Sequence, residues 1–222
     1  MPGASQNGEF MLTIYLDKLR CNKTEDFFGD EFVIAAVSQS GRTRDQFEMV
    51  NRTVATPVMK TSGGGRVYPF PADGSTLFAA RVEPTDYVLV SLSAMDLDFA
   101  PSAWNSGMKE IVAGLAEAAK RAAGRAFEDS SAADRAEKSG NLVDGDIVES
   151  TATIFLELVP GVIKAAIKVD QPDTLGKWFP QRDKCRASDW RGLNGEKISI
   201  PFKGGSVRGQ WDYELTLGIR VE

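Results

Sequence analysis

The chain has 222 residues, 26 Lys+Arg against 31 Asp+Glu, a formal net charge of −5 and no histidine. Hydrophobic residues at 42% and charged residues at 26% suit a soluble globular fold with one core and room for an inserted subdomain. The missing histidine excludes Ser-His-Asp and Cys-His catalysis, His zinc ligands and imidazole proton transfer, and the acidic balance argues against a nucleic-acid partner.

Residues 1–10 are small and polar, lack the apolar stretch of a signal peptide, and end Glu9-Phe10 before a second methionine. They read as an expression remnant, with Met11 as the expected natural start. Met11 to Leu19 alternates as a strand, with Leu12, Ile14 and Leu16 on one face. An acidic turn over 24–31 leads to a second strand, Phe32 to Val37, and a third is expected between Gln46 and Val58. Gly63-Gly64-Gly65 is a turn and not a phosphate loop, since no Gly-Lys-Ser/Thr follows. Val67 to Phe70 and Ser75 to Val82 predict two short strands. Asp86 to Met95 predicts a central strand with Val88, Val90, Leu92 and Ala94 on one face. The period then changes to 3.6. A helix is expected over 102–128, with Met108, Ile111, Leu115, Ala119 and Ala122 in a stripe. After a polar connection, a second helix is expected from Asp146 to Lys168, interrupted near Pro160-Gly161. Strands resume at Lys197 to Phe202 and Tyr213 to Val221. The expectation is a mainly β fold: an antiparallel, eight-stranded β-sandwich over 11–100 and 170–222, with a helical hairpin over 101–169 packed on or projecting from one end.

Acidic residues gather at turns: Asp26, Asp30 and Glu31; Asp96 and Asp98; Asp170 and Asp173. Carboxylates collected at one end of a sandwich repel one another, and a hard divalent cation taking 6–8 oxygens relieves that repulsion. Calcium suits a loop-built site better than magnesium, which demands octahedral geometry. The other reading is solvated turns, where Asp caps backbone amides.

The order of these elements resembles the C2 domain. In that family a loop of the form Asp…Gly…Asp-(Pro)-aromatic-Val corresponds to Asp26-Phe27-Phe28-Gly29-Asp30-Glu31-Phe32-Val33 here, with Glu31 in place of the proline. A later strand ending in Asp-x-Asp corresponds to Val88–Met95 with Asp96-Leu97-Asp98, and a further Asp before Leu-Gly corresponds to Asp173-Thr174-Leu175-Gly176. The first loop is shorter by about two residues, and the third is split by about 70. The resemblance implies calcium held by Asp26, Asp30, Asp96 and Asp98, with Asp170 or Asp173 as the late ligand, bridging to lipid phosphate. Phe27 and Phe28 at the loop tip would enter the bilayer or pack on the loop.

No run of about 18 uncharged apolar residues reads as an ordinary transmembrane span. The second helix nonetheless carries a wide apolar band (Ile154, Phe155, Leu156, Leu158, Val159, Val162, Ile163, Ile167). It fits packing on the sandwich, membrane insertion or an oligomer contact. Trp178 and Trp190, each near Lys or Arg, suit lipid headgroups, anions or a sugar face if exposed, and core positions if buried. Cys21 and Cys185 carry no disulfide framework; one bridge or two reduced thiols both fit. The expected role is a non-enzymatic, calcium-dependent module that attaches to anionic lipid headgroups or a protein partner. The expected location is cytoplasmic or peripheral membrane, or outside the cell by export without a cleavable signal. A membrane-active, toxin-like protein working through its helices is the alternative, and a hydrolase using Asp96 and Asp98 comes third.

Overall fold

A computed structural model describes residues 8–24, 29–71, 74–97, 101–130, 141–168, 173–205 and 209–222. Its strands are β1 (Phe10–Lys23), β2 (Glu31–Gly41), β3 (Val50–Ala55), β4 (Met59–Lys60), β5 (Arg66–Pro69), β6 (Thr76–Val82), β7 (Tyr87–Asp96), β8 (Asp173–Trp178), β9 (Lys197–Gly205) and β10 (Gln210–Val221). The helices are α1 (Arg44–Phe47), α2 (Pro101–Ser106), α3 (Met108–Asp129), α4 (Gly145–Ile167) and α5 (Ala187–Gly192).

The strands form two antiparallel sheets. In the first, β5 and β6 lie along one edge of β1, followed by β10 and β9; in the second, β3 and β4 lie along one edge of β2, followed by β7 and β8. Period-two alternation explains how they meet. Leu12, Ile14 and Leu16 of β1 and Tyr213, Leu215, Leu217 and Ile219 of β10 face Phe32, Ile34 and Ala36 of β2 and Val88, Val90, Leu92 and Ala94 of β7 across one buried layer.

Both faces of the second sheet are covered, which is why every residue of β7 is buried. Val33, Ala35, Val37 and Met95 point away from the first sheet into a second apolar layer. There they meet Ile111, Leu115, Ala119 and Ala122 of α3 and Phe155, Val159 and Ile163 of α4. The helical pair therefore lies on the outer face of the second sheet, whereas the sequence placed it at one end of the sandwich.

The third strand expected between Gln46 and Val58 is β3, Val50–Ala55; ahead of it the Gln46 side chain accepts the Thr43 N–H at 3.3 Å, and one turn of helix buries Phe47. Two local expectations are corrected. α4 runs unbroken through Pro160, because the buried stripe of Phe155, Leu156, Val159 and Ile163 outweighs the one backbone bond a proline removes. Its start is fixed by Asp144, whose Oδ1 accepts the N–H groups of Asp146 and Ile147 at 3.0 Å. Asp173, expected at a turn, instead opens the edge strand β8 (Asp173–Trp178), which the first sheet holds through the Trp211 Nε1–H donating to Leu175 O at 2.9 Å.

Candidate functional site

Three of the acidic residues, Asp30, Asp96 and Asp173, lie at one end of the sandwich. Asp30 immediately precedes β2, Asp96 ends β7 and Asp173 begins β8. In the ladder Asp96 has Phe32 opposite on one side and Asp173 opposite on the other. Cross-strand partners share a face, and Asp96 continues the inward row Val88, Val90, Leu92, Ala94. The two carboxylates thus sit on the face toward the first sheet, at the same end as Asp30. Asp26, Asp98 and Asp170, with Phe27 and Phe28, lie outside the described residues.

Asp30 is 1% exposed, and its Oδ2 accepts the Tyr213 hydroxyl at 2.5 Å. Tyr213 Oη also lies 2.9 Å from Thr61 Oγ1, and Thr61 donates its backbone N–H to Asp30 O at 2.9 Å. Burial first, and then the Asp30 carboxylate, push the Tyr213 phenol far above its usual range, so it is a neutral donor. Asp96 is 2% exposed and its Oδ1 accepts the Glu31 N–H at 2.8 Å, tying the start of β2 to the end of β7. Asp173 is exposed. The end is therefore built from two buried, hydrogen-bonded carboxylates and one in water. Among the described residues no three acidic or cysteine side chains are grouped closely enough to hold a metal.

The tryptophans divide. Trp190 is 2% exposed and donates Nε1–H to Val88 O at 3.3 Å, so it fills the core and does not present a ring to a membrane. Trp178 is half-buried against the same core. Cys21 lies in the layer between the sheets and Cys185 under the helices; both are free and buried, and burial raises both thiols, Cys185 to about 11.

Sequence reading missed Tyr213 and Thr61 as partners of Asp30. Tyr213 belongs to an alternating core row, and nothing local marks a hydroxyl whose acceptor is 183 residues away. Away from this end, a groove of about 780 Å³ is lined by residues of α2, α3 and α4, among them Glu110, Gly114, Arg121, Gly161 and Val162. Neither protein-family models nor curated proteins give a match to the chain.

Proposed function

We propose that the protein is a non-enzymatic, C2-like β-sandwich module that binds calcium at its acidic end and thereby attaches reversibly to an anionic membrane surface or a protein partner. The observation that carries this reading is the ladder itself: Asp96 stands opposite Asp173, with Asp30 at the same end, although the three are far apart in sequence. Like charges directly opposite one another in a sheet are destabilising, and a divalent cation offsets that cost. Asp26, Asp98 and Asp170, four, two and three residues away in the chain, complete the donor set in this reading. A carboxylate offers about four lone-pair sites, so the bonds from Tyr213 and from the Glu31 N–H do not by themselves preclude a metal. Tyr213 and Thr61 hold Asp30 in place, and Asp96 joins β2 to β7 so that the end stays rigid. Bound calcium would invert the local charge and offer open coordination positions to phosphate.

The C2-like assignment is supported by ladder positions. With β3 and β4 sharing one edge of β2, and β5 and β6 sharing one edge of β1, each sheet has four positions. The test is vesicle co-sedimentation with phosphatidylserine or phosphatidylcholine, in calcium or in chelator. Binding to phosphatidylserine in calcium alone is expected; equal binding in chelator overturns the calcium step.

A second reading, membrane insertion by the helices, rests on α4, a described helix long and apolar enough to cross a membrane, although its large side chains face the sheet. Dye release from vesicles distinguishes the two: the module reading expects binding without leakage.

A further inference from the structure

The outer face of the first sheet holds a second concavity, of about 290 Å³, where β1 bulges between Leu16 and Lys18 and its edge passes from β5 to β6. Its distinctive element is Tyr15. The cross-strand partner of Tyr15 is Gly218, and a Cβ there would lie 2.3 Å from Tyr15 Cζ and 2.4 Å from its hydroxyl oxygen. The ring therefore lies down along the sheet, over a residue with no side chain. Any other residue at 218 would lift it. Tyr15 is half-buried, so the ring also meets solvent.

Polar groups converge around this ring. Arg220, exposed and opposite Thr13 in the ladder, makes no ion pair or side-chain hydrogen bond among the described residues. The hydroxyls of Thr13, Tyr15 and Thr76 likewise make no protein hydrogen bond among the described residues. Asp17 sits beside them, its Oδ2 accepting from Lys197 Nζ at 2.7 Å, and Phe70 closes one side. A flat aromatic face with hydroxyl, carboxylate and guanidinium groups at its edge matches a sugar ring. The C–H face of a pyranose stacks on the ring, while its hydroxyls, each both donor and acceptor, pair around the rim. The volume sits near the lower end of small-molecule sites, about 300–1,000 Å³, which fits one ring of a longer chain.

We infer that this concavity is a carbohydrate site that takes one pyranose ring of a neutral glycan against Tyr15, with its hydroxyls on Asp17 and Arg220. The site shares no residue with the acidic end, so it stands or falls separately from the calcium reading.

The experiment is saturation-transfer NMR on the full chain in chelator. The probes are glucose, galactose, mannose, N-acetylglucosamine and their short oligosaccharides, with inorganic phosphate as the anion control. At least one sugar is expected to give a saturable signal. Tyr15→Ala and Arg220→Gln are each expected to weaken it about tenfold or more, while the melting temperature shows that both remain folded. Should Tyr15→Ala not fold, amide shifts in the unaltered protein replace it: the bound sugar must move Tyr15, Thr76 and Arg220. No saturable signal from any sugar overturns the proposal. So does sugar binding that survives Tyr15→Ala or leaves those amides in place, and so does binding of phosphate alone.

Discussion

Tyr213 donates to a carboxylate that is 1% exposed, and that single bond joins the first sheet to the start of β2. Phenylalanine at this position would keep the ring packing against Phe32, 5.0 Å away between centroids, and remove only the hydroxyl. Leaving a buried charged acceptor short of a donor costs about 1–3 kcal/mol or more. Tyr213→Phe is therefore expected to lower the melting temperature by several degrees, and Tyr213→Phe with Asp30→Ala to lose less than the sum of the two changes. Thermal denaturation of the three variants checks this; strict additivity would contradict it. Cys185 gives a pH signature. Burial foremost, then Asp189, raises the thiol from 9.0 to about 11. The folded state thus holds a proton that the unfolded chain releases between those values. The contribution is fully present below about pH 9 and is lost as pH rises toward about 11, by roughly 2–3 kcal/mol. Cys185→Ala should flatten the alkaline fall in melting temperature relative to the unaltered protein; parallel curves would contradict this. At this scale the sequence was legible for what side chains are, less so for what they touch. The aspartates were visible as a chemistry. Their burial was not, because it depends on the opposing sheet.

The two glycines of the helical layer separate packing from propensity. A Cβ at Gly114 of α3 would meet Val162 Cγ1 at 2.7 Å, a stiff β-branched neighbour, whereas a Cβ at Gly161 of α4 meets nothing within 4 Å. Gly114→Ala is expected to destabilise by about 1–3 kcal/mol through overpacking. Gly161→Ala is expected to stabilise by about 0.5–1 kcal/mol, since alanine costs less backbone entropy in a helix. Urea denaturation of both gives opposite signs if α3 and α4 pack as described, and equal signs if they do not. The alternating strands β1, β7 and β10 and the stripe of α3 were readable because one face of each is apolar at the right period. The breaks were harder. Pro160-Gly161 signals an interruption locally, and the sheet beneath overrides it. β8 carries little alternation, and its identity as a strand comes from its partner β7.

At the scale of the whole molecule, three layers share the second sheet. The helices seal its outer face, so Val33, Ala35, Val37 and Met95 are buried only while α3 and α4 stay in place. Removing residues 101–168 is expected to yield an aggregating chain rather than a free-standing sandwich, because it uncovers a contiguous apolar face. Size-exclusion chromatography of that deletion decides it: a soluble monomer would mean the helices are an appendage. The β-rich class and the late helical block were legible from the change of period. That the helices form a layer was missed, although Phe32-Val33-Ile34-Ala35-Ala36-Val37 of β2 is an unbroken apolar run of the kind a strand covered on both faces shows. The shared end of Asp30, Asp96 and Asp173 is likewise a product of topology, which brings the start of β2, the end of β7 and the start of β8 together. The most direct measurement is calorimetric titration of calcium into the metal-free protein, repeated on Asp173→Asn, an exposed position whose loss leaves the buried bonds of Asp30 and Asp96 intact. Saturable binding by about 1 mM calcium, weakened about tenfold or more in the variant, is the expected result. No heat at that concentration, or equal binding by both proteins, would contradict a cation held between these strands.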